Sequence, residues 1–233
     1  MHQFLYGTLP YIALTVLLLG SVARFERDPY TWKSSSSQLL RRKQLVWGSI
    51  LFHVGVLIVF AGHLFGLLLP VEMYDALGVP HSWKQALAAV GGGIAGTMAL
   101  LGGILLAHRR LMDPRIAATS TFADTAILLI LLVQLTLGLA TVPISLTHMD
   151  GHEMVSLMNW ANGIFTFDGA AASYVEGANI IFKTHILLGL VIFILFPFTR
   201  LVHMLSAPVR YLWRPGFQIV RSRKGKASER KNG

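Results

Sequence analysis

No cysteine occurs anywhere in the 233 residues. That absence excludes disulfides, iron–sulfur clusters held on protein thiolates and the C-x-x-C-H site of covalent haem attachment. A redox group on this chain must hang on other side chains, and histidine is the obvious remaining ligand. Charge is scarce too. Only 13% of residues are Asp, Glu, Lys or Arg, against about 25% in an ordinary soluble domain. Long polar stretches are missing, which leaves no room for a separate soluble domain.

Apolar sequence takes their place, at 54% of the chain. Crossing a bilayer requires roughly 20 mostly apolar residues. Five segments qualify, at about 4–22, 46–69, 86–107, 122–146 and 179–205. The predicted fold is therefore an all-α integral membrane protein with five transmembrane helices, over residues 1–214, followed by a basic cytoplasmic tail, 215–233. The positive charges of the first segment follow its apolar stretch instead of preceding it, so it does not read as a cleaved signal peptide.

A net charge of +9 would suit nucleic acid if it were spread over one soluble face, but its distribution argues against that partner. With the N-terminus outside, 18 of the 20 basic residues fall in the two inner loops and the tail. Only Lys84 and Lys183 lie on the outer side, where Glu72, Asp75, Asp150, Glu153, Asp168 and Glu176 collect. This positive-inside bias predicts an outer N-terminus and a cytoplasmic C-terminus. The basic tail and inner loops suit anionic lipid heads or docked cytoplasmic subunits. The serine run of the first inner loop reads as a solvated turn. Gly92 and Gly96 in the third segment form a G-x-x-x-G pattern that favours close helix packing. The outer loop 148–178 has the composition of a short helix lying across the mouth of the bundle. Asp124 reads as a cap or anchor at the inner end of the fourth segment.

Of nine histidines, His2, His81, His108, His148 and His152 fall at an end, in loops or at segment edges. His148 and His152 have the i, i+4 spacing of metal ligands, but Asp150-Gly151 between them favours a turn. The other four lie inside membrane segments, where ionisable side chains are expensive and usually functional. His53 and His63 share the second segment, and His185 and His203 share the fifth. Two histidines on each of two helices match the need of six-coordinate haem, whose iron takes one imidazole from each of two facing helices. Antiparallel segments pair His53 with His203 near the cytoplasm, and His63 with His185 near the exterior, so two haems would stack across the membrane. The spacings differ: ten residues rise about 15 Å and eighteen about 27 Å, with the first pair about 80° out of phase. A marked bend or tilt in the fifth segment is therefore expected, at Pro197. Arg109 and Arg110, at the inner end of the third segment, are positive-inside anchors and also candidates to pair with haem propionates.

These residues bring a family into view. "YTWKSSSSQLLRRK", "LFHVG", "GHLFG", "HRRLMDPR", "HMDG" and "FPFTRLVHMLSAPVRYL" resemble the membrane gamma subunit of respiratory nitrate reductases, a cytochrome b, over nearly the whole chain to about Arg221. His152 and the end "RSRKGKASERKNG" match no motif of that family. The resemblance implies a subunit of the bacterial cytoplasmic (inner) membrane that oxidises quinol at the outer side. Electrons then pass through two b haems to a cytoplasmic iron–sulfur subunit, and on to a molybdenum subunit that reduces nitrate. It implies His53, His63, His185 and His203 as axial ligands, and a quinol pocket that includes Gly62, Gly66 and Lys84. Lys84 is also of interest on physical grounds. It is the only basic residue of the first outer loop, and an ammonium there would stabilise the negative charge that develops on a quinol oxygen. The alternative for Lys84 is snorkelling from the start of the third helix. Two other readings of the chain stand beside this one: a cytochrome b feeding another quinone-linked reductase of heterodisulfide or sulfite type, and a non-redox membrane protein with structural histidines. No iron–sulfur or molybdenum ligand set is present, so nitrate itself would be reduced on another subunit.

Overall fold

The computed structural model describes residues 1–32, 40–147 and 149–206. The serine run, His148, the end of the expected membrane domain at 214 and the basic tail lie outside the described residues. Among those described, all regular structure is helical. Helix α1 (Leu9–Arg27) continues a π turn at Phe4–Thr8. It is followed by α2 (Arg42–Leu68), a short α3 (Val71–Ala76), α4 (His81–Met112), a short α5 (Pro114–Ala118), α6 (Phe122–Thr147), α7 (His152–Phe165) and α8 (Ile180–Leu195). Five helical stretches are long and apolar enough to cross a membrane: Phe4–Arg27, Arg42–Leu68, His81–Met112, Phe122–Thr147 and Ile180–Phe198. The connection 148–178 carries α7 and a 3-10 turn at Ala171–Val175, and α7 packs against α2, α3 and α4.

Local chemistry sets several boundaries. Asp124 and Thr121 close a capping box at the start of α6: the Asp124 amide donates to Thr121 Oγ1 (3.1 Å) and the Thr121 amide to Asp124 Oδ2 (3.4 Å). The Asn179 side chain accepts from the Ile181 amide (3.0 Å) and caps α8. Prolines 70 and 80 bracket α3, so the loop after α2 turns sharply into α4.

The long helices pack in the order α2–α4–α6–α8–α1. Glycine governs the closest contact. A methyl group added at Gly55 would stand 2.6 Å from the carbonyl oxygen of Ala95, and one at Gly102 would stand 2.7 Å from that of Gly48. The α2 and α4 backbones therefore touch at two levels, seven residues apart on each helix. Of the expected Gly92–Gly96 pair, Gly96 packs on Leu139 of α6, whereas Gly92 faces open space. Within α2 only Gly48 and Gly55 are buried, which leaves both of its histidines on an open face.

The fifth membrane segment is not one bent helix. Helix α8 stops at Leu195, and 3-10 turns follow at Phe196–Phe198 and Arg200–Ser206, with Thr199 extended between them (φ −121°, ψ 179°). Pro197 has no amide hydrogen and obstructs the preceding turn. The carbonyls of Pro197 and Thr199 instead accept from Arg24 Nη1 of α1, at 2.7 and 2.8 Å. His203 thus rides on a separate segment, and the 27 Å rise expected of a continuous helix does not apply.

Candidate functional site

The break after Leu195 brings His203 opposite His53, with ring centroids 6.3 Å apart and planes at 72°. His185, on α8 proper, faces His63 with centroids 6.0 Å apart and planes at 40°. A metal–imidazole nitrogen bond is about 2.0–2.1 Å, and the ring centre lies about 1.1 Å behind that nitrogen, so two imidazoles across one metal stand about 6.3 Å apart. Both pairs have close to that spacing.

Hydrogen bonds to main-chain carbonyls fix three of the four rings. Within α2, His53 Nδ1 donates to the Ser49 carbonyl (2.7 Å) and His63 Nδ1 to the Val59 carbonyl (2.8 Å). His203 Nδ1 donates to the Arg200 carbonyl. Each bond selects the tautomer that leaves Nε2 unprotonated, and such a main-chain partner is what orients a metal-ligating imidazole. His185 is held differently. Gly138 of α6 lies against its ring, where an added methyl group would come within 3.0 Å of Cε1. Gln134, one turn earlier, donates to the His185 carbonyl (3.1 Å). The Nε2 of His185 lies 3.5 Å from Gln134 Nε2, and its Nδ1 is buried without a hydrogen-bond partner. Among the described residues, no three His, Cys, Asp or Glu side chains gather as they would around a bare metal ion. The histidines meet only in twos, the number left open by an iron that brings its own four equatorial ligands. The residues present fit haem.

Between His53 and His203 lies a cavity of about 610 Å³. Its wall includes Arg42, Arg109, Arg110, Arg200 and Asp124. Arg109 is buried, and its Nη2 donates to the Leu40 carbonyl (2.7 Å). Asp124 is also buried and sits 3.9 Å from both Arg110 Nη1 and Arg200 Nε. One carboxylate thus stands among four guanidinium groups, leaving net positive charge on the wall. The cap role read for Asp124 is present, together with an ion-pair role that the sequence did not reveal. Arg42 and Arg200 also went unread as site residues; the hint was their place near a cavity histidine, Arg200 three residues before His203.

At the other end of the bundle, Lys84 occupies the first turn of α4 and is only 8% exposed. Burial at that level is not snorkelling. Its Nζ donates to Met158 Sδ of α7 (2.7 Å) and lies 3.5 Å from the centroid of the Tyr74 ring of α3. Among the described residues, no carboxylate comes within ion-pair distance of it. The Tyr74 hydroxyl donates to the Phe65 carbonyl (2.7 Å), between Gly62 and the end of α2. Gly62 and Gly66 have no atom within 4 Å of an added methyl group, so the α2 surface beside His63 is bare. His81 begins α4 and pairs with Asp75 of the α3 corner (3.2 Å). His152 begins α7 after a turn at Asp150-Gly151, in which Gly151 takes φ +81°.

The comparisons cover the chain almost from end to end. Residues 2–223 match the family described as nitrate reductase gamma subunit. The respiratory nitrate reductase 1 gamma chain of Escherichia coli K12 is 47% identical over 96% of this chain and 98% of its own length. The respiratory nitrate reductase 2 gamma chain of the same organism is 48% identical over the same shares. The nitrate reductase gamma chain of Bacillus subtilis 168 is 38% identical over 95% of this chain and 98% of its own length.

Proposed function

The chain belongs to the nitrate reductase gamma subunit family, and from that premise we propose that it is the quinol-oxidising, dihaem b subunit of a respiratory nitrate reductase in a bacterial cytoplasmic membrane. What chiefly supports this reading is the pair of facing imidazole sets, at 6.3 and 6.0 Å, spaced for one six-coordinate iron each. When bound, the two haems supply one-electron redox centres at two depths of the bilayer. His53 and His203 would hold the inner one and His63 and His185 the outer. The main-chain carbonyls behind His53, His63 and His203 keep each Nε2 free and correctly aimed. Gly138 leaves room for the His185 ring to stand upright between α6 and α8. Arg109 and Arg110, joined by Arg200, offer donors to the propionates of the inner group.

Quinol enters beside Gly62 and Gly66 and meets Lys84. It leaves as quinone after giving up two electrons and two protons. Lys84 remains an ammonium throughout, and stabilises the quinol oxygen as it loses its proton to the outer aqueous side. The N-terminus is outside in this arrangement, so the protons are released outside while the electrons move inward. Each charge that crosses is worth about 2.3 kcal/mol per 100 mV of membrane potential. A chain without cysteine has no thiolates for an iron–sulfur cluster. A cytoplasmic iron–sulfur subunit therefore receives the electrons, and a molybdenum subunit reduces nitrate.

A reduced-minus-oxidised spectrum with haem quantification tests the proposal on wild type, His53→Ala and His63→Ala. Two b haems per chain are expected, with one lost in each variant. A folded chain without haem overturns it.

A further inference from the structure

A buried ammonium with no carboxylate beside it needs something to hold it in place. Among the described residues Lys84 has no carboxylate within ion-pair distance, and its Nζ meets the Met158 sulfur and the face of the Tyr74 ring. A thioether is a weak acceptor. The ring is the stronger partner, because its negative π face attracts a cation, most effectively where water is excluded. Tyr74 is itself tied down. Phe65 is among the last four residues of α2, whose carbonyls have no partner within the helix. The Tyr74 hydroxyl donates to that free carbonyl at 2.7 Å. Burial raises the pKa of the Tyr74 phenol, which keeps it a neutral donor at physiological pH. The result is a chain of contacts from the His63 helix, through Phe65 and Tyr74, to the Lys84 ammonium.

Holding a cation by a ring differs from holding it by a carboxylate. A carboxylate would cancel most of the charge. A ring quadrupole fixes the ammonium while leaving its full charge for an incoming oxygen. From this geometry we infer that Tyr74 is a positioning residue for quinol oxidation, which holds the Lys84 ammonium at the end of α2 by its π face. The inference rests on the reading of Lys84 as the quinol-facing cation. It makes the short helix α3, set between two prolines, the element that carries the positioning ring.

The test uses the assembled enzyme in native membranes, with a short-chain soluble quinol as donor, nitrate as acceptor and the haem spectrum as a folding check. Tyr74→Phe keeps the ring and should stay within about threefold of wild-type kcat/KM for quinol. Tyr74→Leu removes the ring and should lower kcat/KM about thirtyfold, the scale of a desolvated cation–π contact, with both haems present. Lys84→Ala should lower it at least as far. Adding Tyr74→Leu to Lys84→Ala should then cost nothing more, because coupled residues do not act additively. If Tyr74→Leu fails to assemble, Tyr74→Met takes its place. Wild-type kinetics in the ringless variant beside an impaired Lys84→Ala would overturn the role of Tyr74 alone. A full additional loss in the double variant would overturn it too. Wild-type kinetics in Lys84→Ala would instead overturn the underlying assignment of Lys84, whatever Tyr74 does.

Discussion

Asp124 shows how much a single residue's role depends on neighbours that sequence distance hides. On the chain it is an acid in the first turn of a helix, and it does cap that turn. Folding also places it between Arg110 of α4 and Arg200 of the last 3-10 turn, on the wall of the His53–His203 cavity. Losing a buried partner leaves guanidinium charge uncompensated, at up to about 3–5 kcal/mol for a tight pair and less at the 3.9 Å seen here. Asp124→Asn should therefore lower the melting temperature modestly. It should also raise the reduction potential of the inner haem, because a nearby negative charge that opposed the arriving electron is gone, while the outer haem keeps its potential. A redox titration following the two b-type signals separately checks this; equal shifts in both, or none, would remove Asp124 from the inner site. The four histidines stand out in the sequence because ionisable residues are rare in apolar segments, and the fold brings them into two facing pairs. Arg200, Asp124, Tyr74 and Gly138 do not stand out, since each is ordinary at its own position and acquires meaning only from an element distant in sequence.

Element boundaries were legible where composition changes abruptly, and obscure where tertiary partners decide. Hydropathy located five membrane segments and the composition of 148–178 indicated an extra helix. Pro197 pointed to a distortion, yet the chain offers no local sign that Arg24 takes up the carbonyls around it and lets α8 end outright. Pro197→Ala restores an amide hydrogen and should let the helix run on, carrying His203 out of line with His53. The expected outcome is loss of the inner haem signal with retention of the outer one. Glycine gives a second contrast between pattern and packing. Gly102→Ala would drive a methyl group to within 2.7 Å of the Gly48 carbonyl, and overpacking of this kind costs about 1–3 kcal/mol or more. Gly92→Ala meets open space and gains up to about 1 kcal/mol of helix propensity. Thermal unfolding in detergent should place the first variant below wild type and the second at or above it. The reverse order would mean that α2 and α4 are not in backbone contact.

At the scale of the whole molecule, function turns on which end faces which compartment. With the chain the other way round, the same two histidine pairs and the same Lys84 corner would move charge in the opposite sense, because quinol protons would emerge in the cytoplasm while electrons travelled outward. The bias of 18 basic residues to one side predicts the productive orientation, since short basic loops resist translocation. The absence of cysteine makes the point directly testable, because any introduced thiol is the only one in the chain. Gly169 lies in the exposed connection between α7 and the following 3-10 turn, and Ala118 is exposed at the end of α5. A membrane-impermeant maleimide added to intact cells should label Gly169→Cys. It should reach Ala118→Cys only after permeabilisation, with the chain expressed apart from cytoplasmic subunits so that nothing covers the site. Labelling in the opposite sense would put Lys84 on the cytoplasmic side. Quinol oxidation there would release its protons into the cytoplasm and send its electrons outward, so the reaction would work against the membrane potential instead of building it, however well the haems were held.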